Sequence, residues 1–173
     1  MAIQQEFWFV THTEAKRELY IRDLLEKLNV IHYLPTYVVV RQTKNGQYKR
    51  MKVPIVNNLL FIKSTEENFL ALVKNKSYHL CSIKDPDTDL PFIVPDKPMN
   101  AFMYLMDRSS RKALILPENS FAKGDNVRVI KGDFFGMEGE AIQTGGKTYI
   151  AARMPKLLIV GIEISEDQLE RLG

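Results

Sequence analysis

Four side chains are of the types that usually carry metal or nucleophilic chemistry: His12, His32, His79 and Cys81. None forms a recognisable set with carboxylate or cysteine partners, and no CxxC, HExxH, GxSxG or P-loop spacing occurs. The chain is therefore expected not to be an enzyme and to need neither metal nor cofactor. The residues whose types and spacing do suggest chemistry are cations. Arg41, Lys44, Lys49, Arg50 and Lys52 flank Asn45-Gly46, a strong hairpin signal, with no Asp or Glu among them. Such side chains neutralise phosphates without regard to sequence, and Tyr48 offers a ring on which a base can stack. A solvated hairpin tip explains the same residues, and both readings stand.

The elements that must position this hairpin follow from periodicity. Phe7-Trp8-Phe9-Val10 reads as a strand. Thr13 can cap a helix with Glu14 in its first turn. Leu19, Ile21, Leu24, Leu25 and Leu28 recur at helical spacing, predicting an amphipathic helix over Glu14 to Leu28 with Lys16, Arg17, Arg22 and Lys27 outward. Val30 to Arg41 is a strand broken at Pro35. Tyr48 to Lys63 returns from the hairpin, interrupted at Pro54 and Asn57-Asn58. Ser64 or Thr65 caps a second helix, Glu66 to Lys76, with Phe69, Leu72 and Val73 inward. His79 to Lys84 is a strand and Leu90 to Val94 is extended. Pro95 opens a third helix to about Lys112, with Phe102, Leu105 and Met106 inward. Ala113 to Ser120 reads as a linker.

From Phe121 onward the pattern changes. Val127, Val129 and Ile130 form a β-branched run, and Gly132, Gly136 and Gly139 punctuate Phe134-Phe135 and Met137-Glu138. Glycine takes positive φ at no steric cost, so this is a strand, a tight loop and a second strand. Ala141 to Thr144, Thr148 to Arg153 and Leu157 to Ile164 continue as short strands around Gly145-Gly146. Ser165 to Leu172 is the one good helical stretch of this part. The fold class is α+β: a mixed sheet flanked by helices over 1–112, a linker at 113–120, and a small all-β barrel of SH3 type over 121–173.

Composition bounds the function. The 173 residues carry a net charge of +3, unevenly spread. Residues 1–112 hold 17 Lys+Arg against 12 Asp+Glu, and residues 113–173 hold 7 against 9. A basic front suits nucleic acid and a slightly acidic back suits protein. No apolar run approaches the ~20 residues of a membrane span. The opening MAIQQEFWFV lacks both a basic start and an apolar core, so no signal peptide is expected. The lone cysteine fits a reducing cytoplasm.

Phe121, Gly124, Asp125, Val127, Val129, Gly132, Phe134 (or Phe135), Gly136 and Gly139 together resemble a KOW motif. Upstream, Trp8-Phe9-Val10, Tyr33-Leu34-Pro35, the basic hairpin, the strand Val56 to Ile62 and Leu90 to Pro95 resemble, in that order, the N-terminal domain of the NusG family of transcription elongation factors. The resemblance covers nearly the whole chain. Two departures stand out. Val56-Asn57-Asn58-Leu59 replaces the housekeeping Phe-Pro-Gly-Tyr, and Pro155-Lys156-Leu157 replaces Phe-Gly-Arg. The Val-Pro start and the Asn-Leu-Leu-Phe strand are similar to specialised members, in particular UpxY-type antiterminators of Bacteroidetes.

The resemblance implies a factor that binds the clamp helices of the largest RNA polymerase subunit and suppresses pausing or termination, as an operon-specific antiterminator. A general factor coupled to Rho or the ribosome, or a KOW-type RNA-binding protein, is the alternative. The polymerase-binding positions it implies are Tyr33, Leu34, Ile55, Val56 and Leu59, with Phe61 a neighbour. Strand alternation lets only half of this apolar run face inward, so some of its side chains should be exposed or meet a partner; the alternative is that these are core strand residues. For non-template or upstream DNA it implies Lys16, Arg17, Arg41, Lys44, Tyr48, Lys49, Arg50 and Lys52. For the KOW partner, a ribosomal small-subunit protein or Rho, it implies Phe134, Phe135, Met137 and Met154, one of the two phenylalanines being core. Ser64-Thr65 matches a contact with the opposite polymerase pincer, which N-capping explains equally well. A cytoplasmic monomer is expected.

Overall fold

The computed structural model describes residues 4–109, 113–117 and 123–173. The chain divides into two compact units, 1–96 and 97–173. The division falls ahead of the expected boundary at 112. Lys112 and Phe121, the expected ends of the third helix and of the linker, lie outside the described residues.

In the first unit, β1 (Glu6–Thr13) pairs antiparallel with β5 (Leu59–Thr65), which also pairs with β2 (Ile31–Tyr33). Short strands β6 (Leu80–Ser82) and β7 (Ile93–Val94) add to β1. Helices α1 (Glu18–Lys27) and α2 (Glu66–Lys74) supply Ile21, Leu25 and Phe69 to a core with Phe9, Leu60 and Ile62. The Phe9 and Phe69 rings stack at 4.1 Å. Thr65 caps α2, its side chain accepting from Asn68 N at 3.2 Å. The first helix starts later than its spacing predicts. Thr13 does not cap it, because β1 runs on through Thr13, whose N–H donates to Asn58 O at 2.9 Å. The turn 14–17 intervenes, with Lys16 in left-handed backbone.

Strands β3 (Thr36–Gln42) and β4 (Tyr48–Pro54) form their own two-stranded sheet, paired only with each other. Its loop spans Thr43 to Gln47. Gly46 N donates to Thr43 O, and Gly46 adopts φ 77°, which is why Asn-Gly marks the turn. Leu59, Leu60, Phe61 and Ile62 are all buried. None of these four is left exposed, whereas Ile55 and Val56, earlier in the same apolar run, are half-buried.

In the second unit, helix α3 (Asp96–Arg108) buries Met99, Phe102, Leu105 and Met106, one stripe at helical spacing. Strands β8 (Leu114–Pro117), β9 (Asp125–Val129), β10 (Glu138–Thr144), β11 (Lys147–Met154), β12 (Leu158–Glu163) and β13 (Leu169–Arg171) form an antiparallel sheet in the order β13-β9-β10-β11-β12-β8. Two segments differ from expectation. Residues 114–117 of the expected linker pair with β12, and Leu116 packs on Ile142, Ala151 and Ile159. Ser165 to Leu172 forms a short 3-10 turn and then β13 instead of a helix. Ser165 and Lys131 both hydrogen-bond the Asp167 carboxyl and hold it below its ordinary range. That ties the 3-10 turn to the loop after β9.

The glycines of the KOW-like stretch do two jobs. Gly136 turns the loop at φ 86°, and its N–H donates to Val129 O at 2.8 Å. A Cβ on Gly124 would collide with the Ala141 carbonyl oxygen, so there the need is close backbone approach. Beside it lies a nearly buried ion pair. Glu140 accepts from Arg153 Nε at 2.8 Å, Arg153 Nη2 at 3.2 Å and Gly124 N at 2.9 Å.

Candidate functional site

The base of the β3–β4 ribbon gathers most of the implied polymerase-binding residues. Thr36 pairs with Pro54, and Ile55 N donates to Pro35 O at 2.9 Å. These bonds bring Tyr33–Pro35 beside Ile55–Val56. Tyr33, Ile55 and Val56 are half-buried. Leu34 and Leu59 are not available in the same way. Leu34 belongs to the core of the first unit, and Leu59 is buried on β5 opposite His12.

The turn 56–58 is held from beneath by a residue that the sequence reading does not single out. Asn58 has φ 66°, at the position where the housekeeping pattern carries glycine. Asparagine tolerates this region better than other non-glycine residues. Its N–H donates to Glu18 Oε1 at 2.7 Å, and Glu18 is a buried carboxylate at the start of α1. Asn58 Oδ1 is buried without a hydrogen-bond partner. Only the left-handed-tolerant Asn in a Gly position hints at this arrangement in the sequence.

The ribbon carries Arg41, Lys44, Tyr48, Lys49, Arg50 and Lys52, all exposed. Its register separates them. Val38 pairs with Lys52, Val40 with Arg50 and Gln42 with Tyr48. Alternation therefore puts Val38, Val40, Gln42, Tyr48, Arg50 and Lys52 on one face. Tyr37, Val39, Arg41, Lys49, Met51 and Val53 lie on the other, with Arg41 directly opposite Lys49. Lys44 sits in the loop. Lys16 and Arg17 stand in the turn before α1, not in its first turn. Arg17 faces Glu14 at 3.5 Å, and Glu14 also meets His79 Nδ1 at 2.8 Å. Exposed pairs of this kind are worth little in stability.

On the second unit the four implied contact residues divide three to one. Phe134, Met137 and Met154 are buried, and Phe135 is 68% exposed. Burial removes the first three as direct contacts without rearrangement and leaves Phe135 as the presented ring. The Pro155–Leu157 turn places Lys156 at φ 63°, again where the family pattern has glycine. Among the described residues no cluster of His, Cys, Asp and Glu is arranged to hold a metal ion, and no helix is long and apolar enough to cross a membrane.

The described residues thus form a helix-flanked sheet whose pairings are all antiparallel, not mixed as expected, a basic two-stranded ribbon and a second antiparallel sheet. A family model described as transcription termination factor nusG matches residues 6–103. The chain belongs to the NusG family: it is a NusG-type transcription elongation factor and not an enzyme, and membership implies binding to RNA polymerase. No curated protein matches the chain. Among solved structures it is similar to Thermotoga maritima NusG, in a structure concerned with domain interaction, at 14% identity and TM-score 0.48 over 98% of both chains. It is also similar to the MjSpt4:Spt5 complex, at 15% identity and TM-score 0.27 over 96% of this chain and 97% of that one. Likenesses at this level add nothing to the family assignment.

Proposed function

We propose that this protein is an operon-specific antiterminator of the UpxY type, a cytoplasmic monomer. It binds the clamp helices of the largest polymerase subunit through Tyr33, Ile55 and Val56. By binding the closed, elongating enzyme preferentially it shifts the population away from paused forms, and no covalent step is needed. The ribbon cations, with Lys16 and Arg17 as a second set, lie along upstream or non-template DNA. The sheet of the second unit is a KOW domain that recruits a ribosomal small-subunit protein or Rho through Phe135.

The observation that carries the reading is the adjacency at the ribbon base. A half-buried apolar set stands beside a ribbon with five cations and no acid between Thr36 and Pro54. An apolar contact and a polyanion contact are then served by neighbouring segments. The test is run-off transcription with purified polymerase on a pausing template. Wild type should shorten pauses, and Val56→Asp should abolish the effect while melting normally, because an unpaired carboxylate in an apolar contact is costly. Full activity of a folded Val56→Asp protein would refute the assignment. The specialised role is separated from the general one on templates with and without the operon's own leader. Equal action on both would favour the general factor.

A further inference from the structure

We propose that the first unit holds a second binding site, a cleft between α1 and α2 that takes a small uncharged molecule rich in hydroxyl groups, of the sugar or polyol class. None of the residues assigned above to polymerase or DNA lines it.

The cleft arises where one strand stops short. β1 accompanies β5 from Leu59 to Thr65, whereas β2 accompanies its other edge only from Phe61 to Lys63. Past Lys63 a cleft of about 510 Å³ opens, within the range of small-molecule sites. Ser64 lies on the same face of β5 as Leu60 and Ile62, the face that packs under α1 and α2. It lines the cleft while only 6% exposed, and its hydroxyl has no hydrogen-bond partner among the described residues. A nearly buried hydroxyl left unpaired costs stability, so a ligand that bonds it gains what the fold leaves unused. Around it stand Asn29, Asn68 and Asn75. Asn75 Oδ1 accepts from Ser77 N at 3.1 Å and from Ser77 Oγ at 2.6 Å, which leaves its amide N–H groups to donate. The carboxamides of Asn29 and Asn68 make no hydrogen bond among the described residues. Leu28 and Ile31, 43% and 53% exposed, form an apolar shoulder.

Charge and ring chemistry select the ligand. Glu6 and Lys63 are the charged lining residues among the described ones. Lys63 Nζ is held 5.9 Å from the centre of the Trp8 ring. Trp8 alternates with the core residue Phe9, so it lies on the sheet face away from α1 and α2. That leaves no lining cation, among the described residues, to hold a phosphate or carboxylate, and Glu6 repels one. A nucleobase needs an open ring to stack on, but the lining ring, Tyr78, is packed against the core. Three carboxamides and a hydroxyl remain. A hydroxyl both donates and accepts, and a carboxamide carries donor and acceptor side by side, so it can bridge two neighbouring hydroxyls of one ligand. The carbon frame between those hydroxyls meets Leu28 and Ile31. A sugar or polyol combines these features without charge.

The test is an amide-shift titration of the labelled full-length protein with D-glucose, D-galactose and N-acetyl-D-glucosamine. Inorganic phosphate, thymidine and N-acetyl-leucine amide serve as comparisons. At least one of the sugars should perturb Asn29 to Ile31, Ser64 and Asn68 to Asn75 in a saturable way and bind more tightly than all three comparisons. Ser64→Ala should weaken that sugar about tenfold, and Asn68→Ala should weaken it as well. Ala71→Trp, which fills the cleft from an exposed position on α2, should abolish binding. Melting temperatures matching wild type establish that the variants are folded, and the exposed Asn68→Ala change carries the comparison if either of the others does not fold. No saturable shift with any of the three sugars, unchanged affinity in Ser64→Ala and Asn68→Ala, or tighter binding of phosphate, nucleoside or peptide amide would overturn the proposal. Each of those results leaves the polymerase reading standing, because the residues are different.

Discussion

Asn58 and Lys156 hold left-handed backbone, at φ 66° and 63°, each at a position where the family patterns carry glycine. A left-handed L-residue costs roughly 1–2 kcal/mol, partly offset because glycine leaves the unfolded chain more entropy to lose. Lys156→Gly is therefore expected to raise stability by about 0.5–1 kcal/mol in urea unfolding, and a loss of stability would contradict the backbone account. Asn58 has a compensation in the Glu18 hydrogen bond. Glu18→Ala should cost about 1–3 kcal/mol, since it orphans a half-buried N–H, and should weaken polymerase binding by loosening the 56–58 turn. An unchanged melting temperature would show that Glu18 does not hold the turn. The two glycine replacements are legible in the sequence. Glu18 is not, because its partner lies 40 residues away and an acid at a helix start has an ordinary explanation in the helix dipole.

Strands that close a sheet are harder to read than those that open a hairpin. Asn45-Gly46 announces its ribbon, and Thr65 announces α2, because turn and cap chemistry are local. Leu114–Pro117 looks like part of a linker, since the prolyl and polar residues that follow it dominate its composition. Its pairing with β12 is visible only in three dimensions. Leu116→Asp distinguishes the two descriptions. A strand packed on Ile142, Ala151 and Ile159 should lose about 1–3 kcal/mol of the second unit's stability on receiving a charge, while a plain tether would tolerate it with no shift in melting temperature. Residues 169–171 show the same override, for a helix-competent sequence is recruited as β13 by the free edge of β9. The implied polymerase patch is affected likewise. Alternation says that some side chains of the apolar run ending at Ile62 should be exposed or meet a partner, yet all four residues of 59–62 are buried and only Ile55 and Val56 stay half-buried. The proposed contact is thereby confined to Tyr33, Ile55 and Val56 at the ribbon base.

Across the whole molecule, charge and apolar surface give the two proposed contacts different physical signatures. Residues 1–112 carry the excess of cations, and five of these lie in the ribbon. Raising salt should weaken DNA retention steeply, because released counterions drive it, and leave the clamp-helix contact nearly unchanged, because it is apolar. Equal salt sensitivity of both contacts, measured on DNA alone and on isolated clamp helices, would contradict the division of labour. The order of parts along the chain is what makes the family legible. The side chains that remain presented are not, since they depend on which strands become interior. The most direct test of the central claim is an amide-shift titration of the labelled full-length protein with the isolated clamp-helix coiled coil. Perturbations are expected to concentrate at Tyr33, Ile55, Val56 and Asn57, with β9 to β12 silent. Perturbations centred on the second unit, or none at saturating coiled coil, would contradict it.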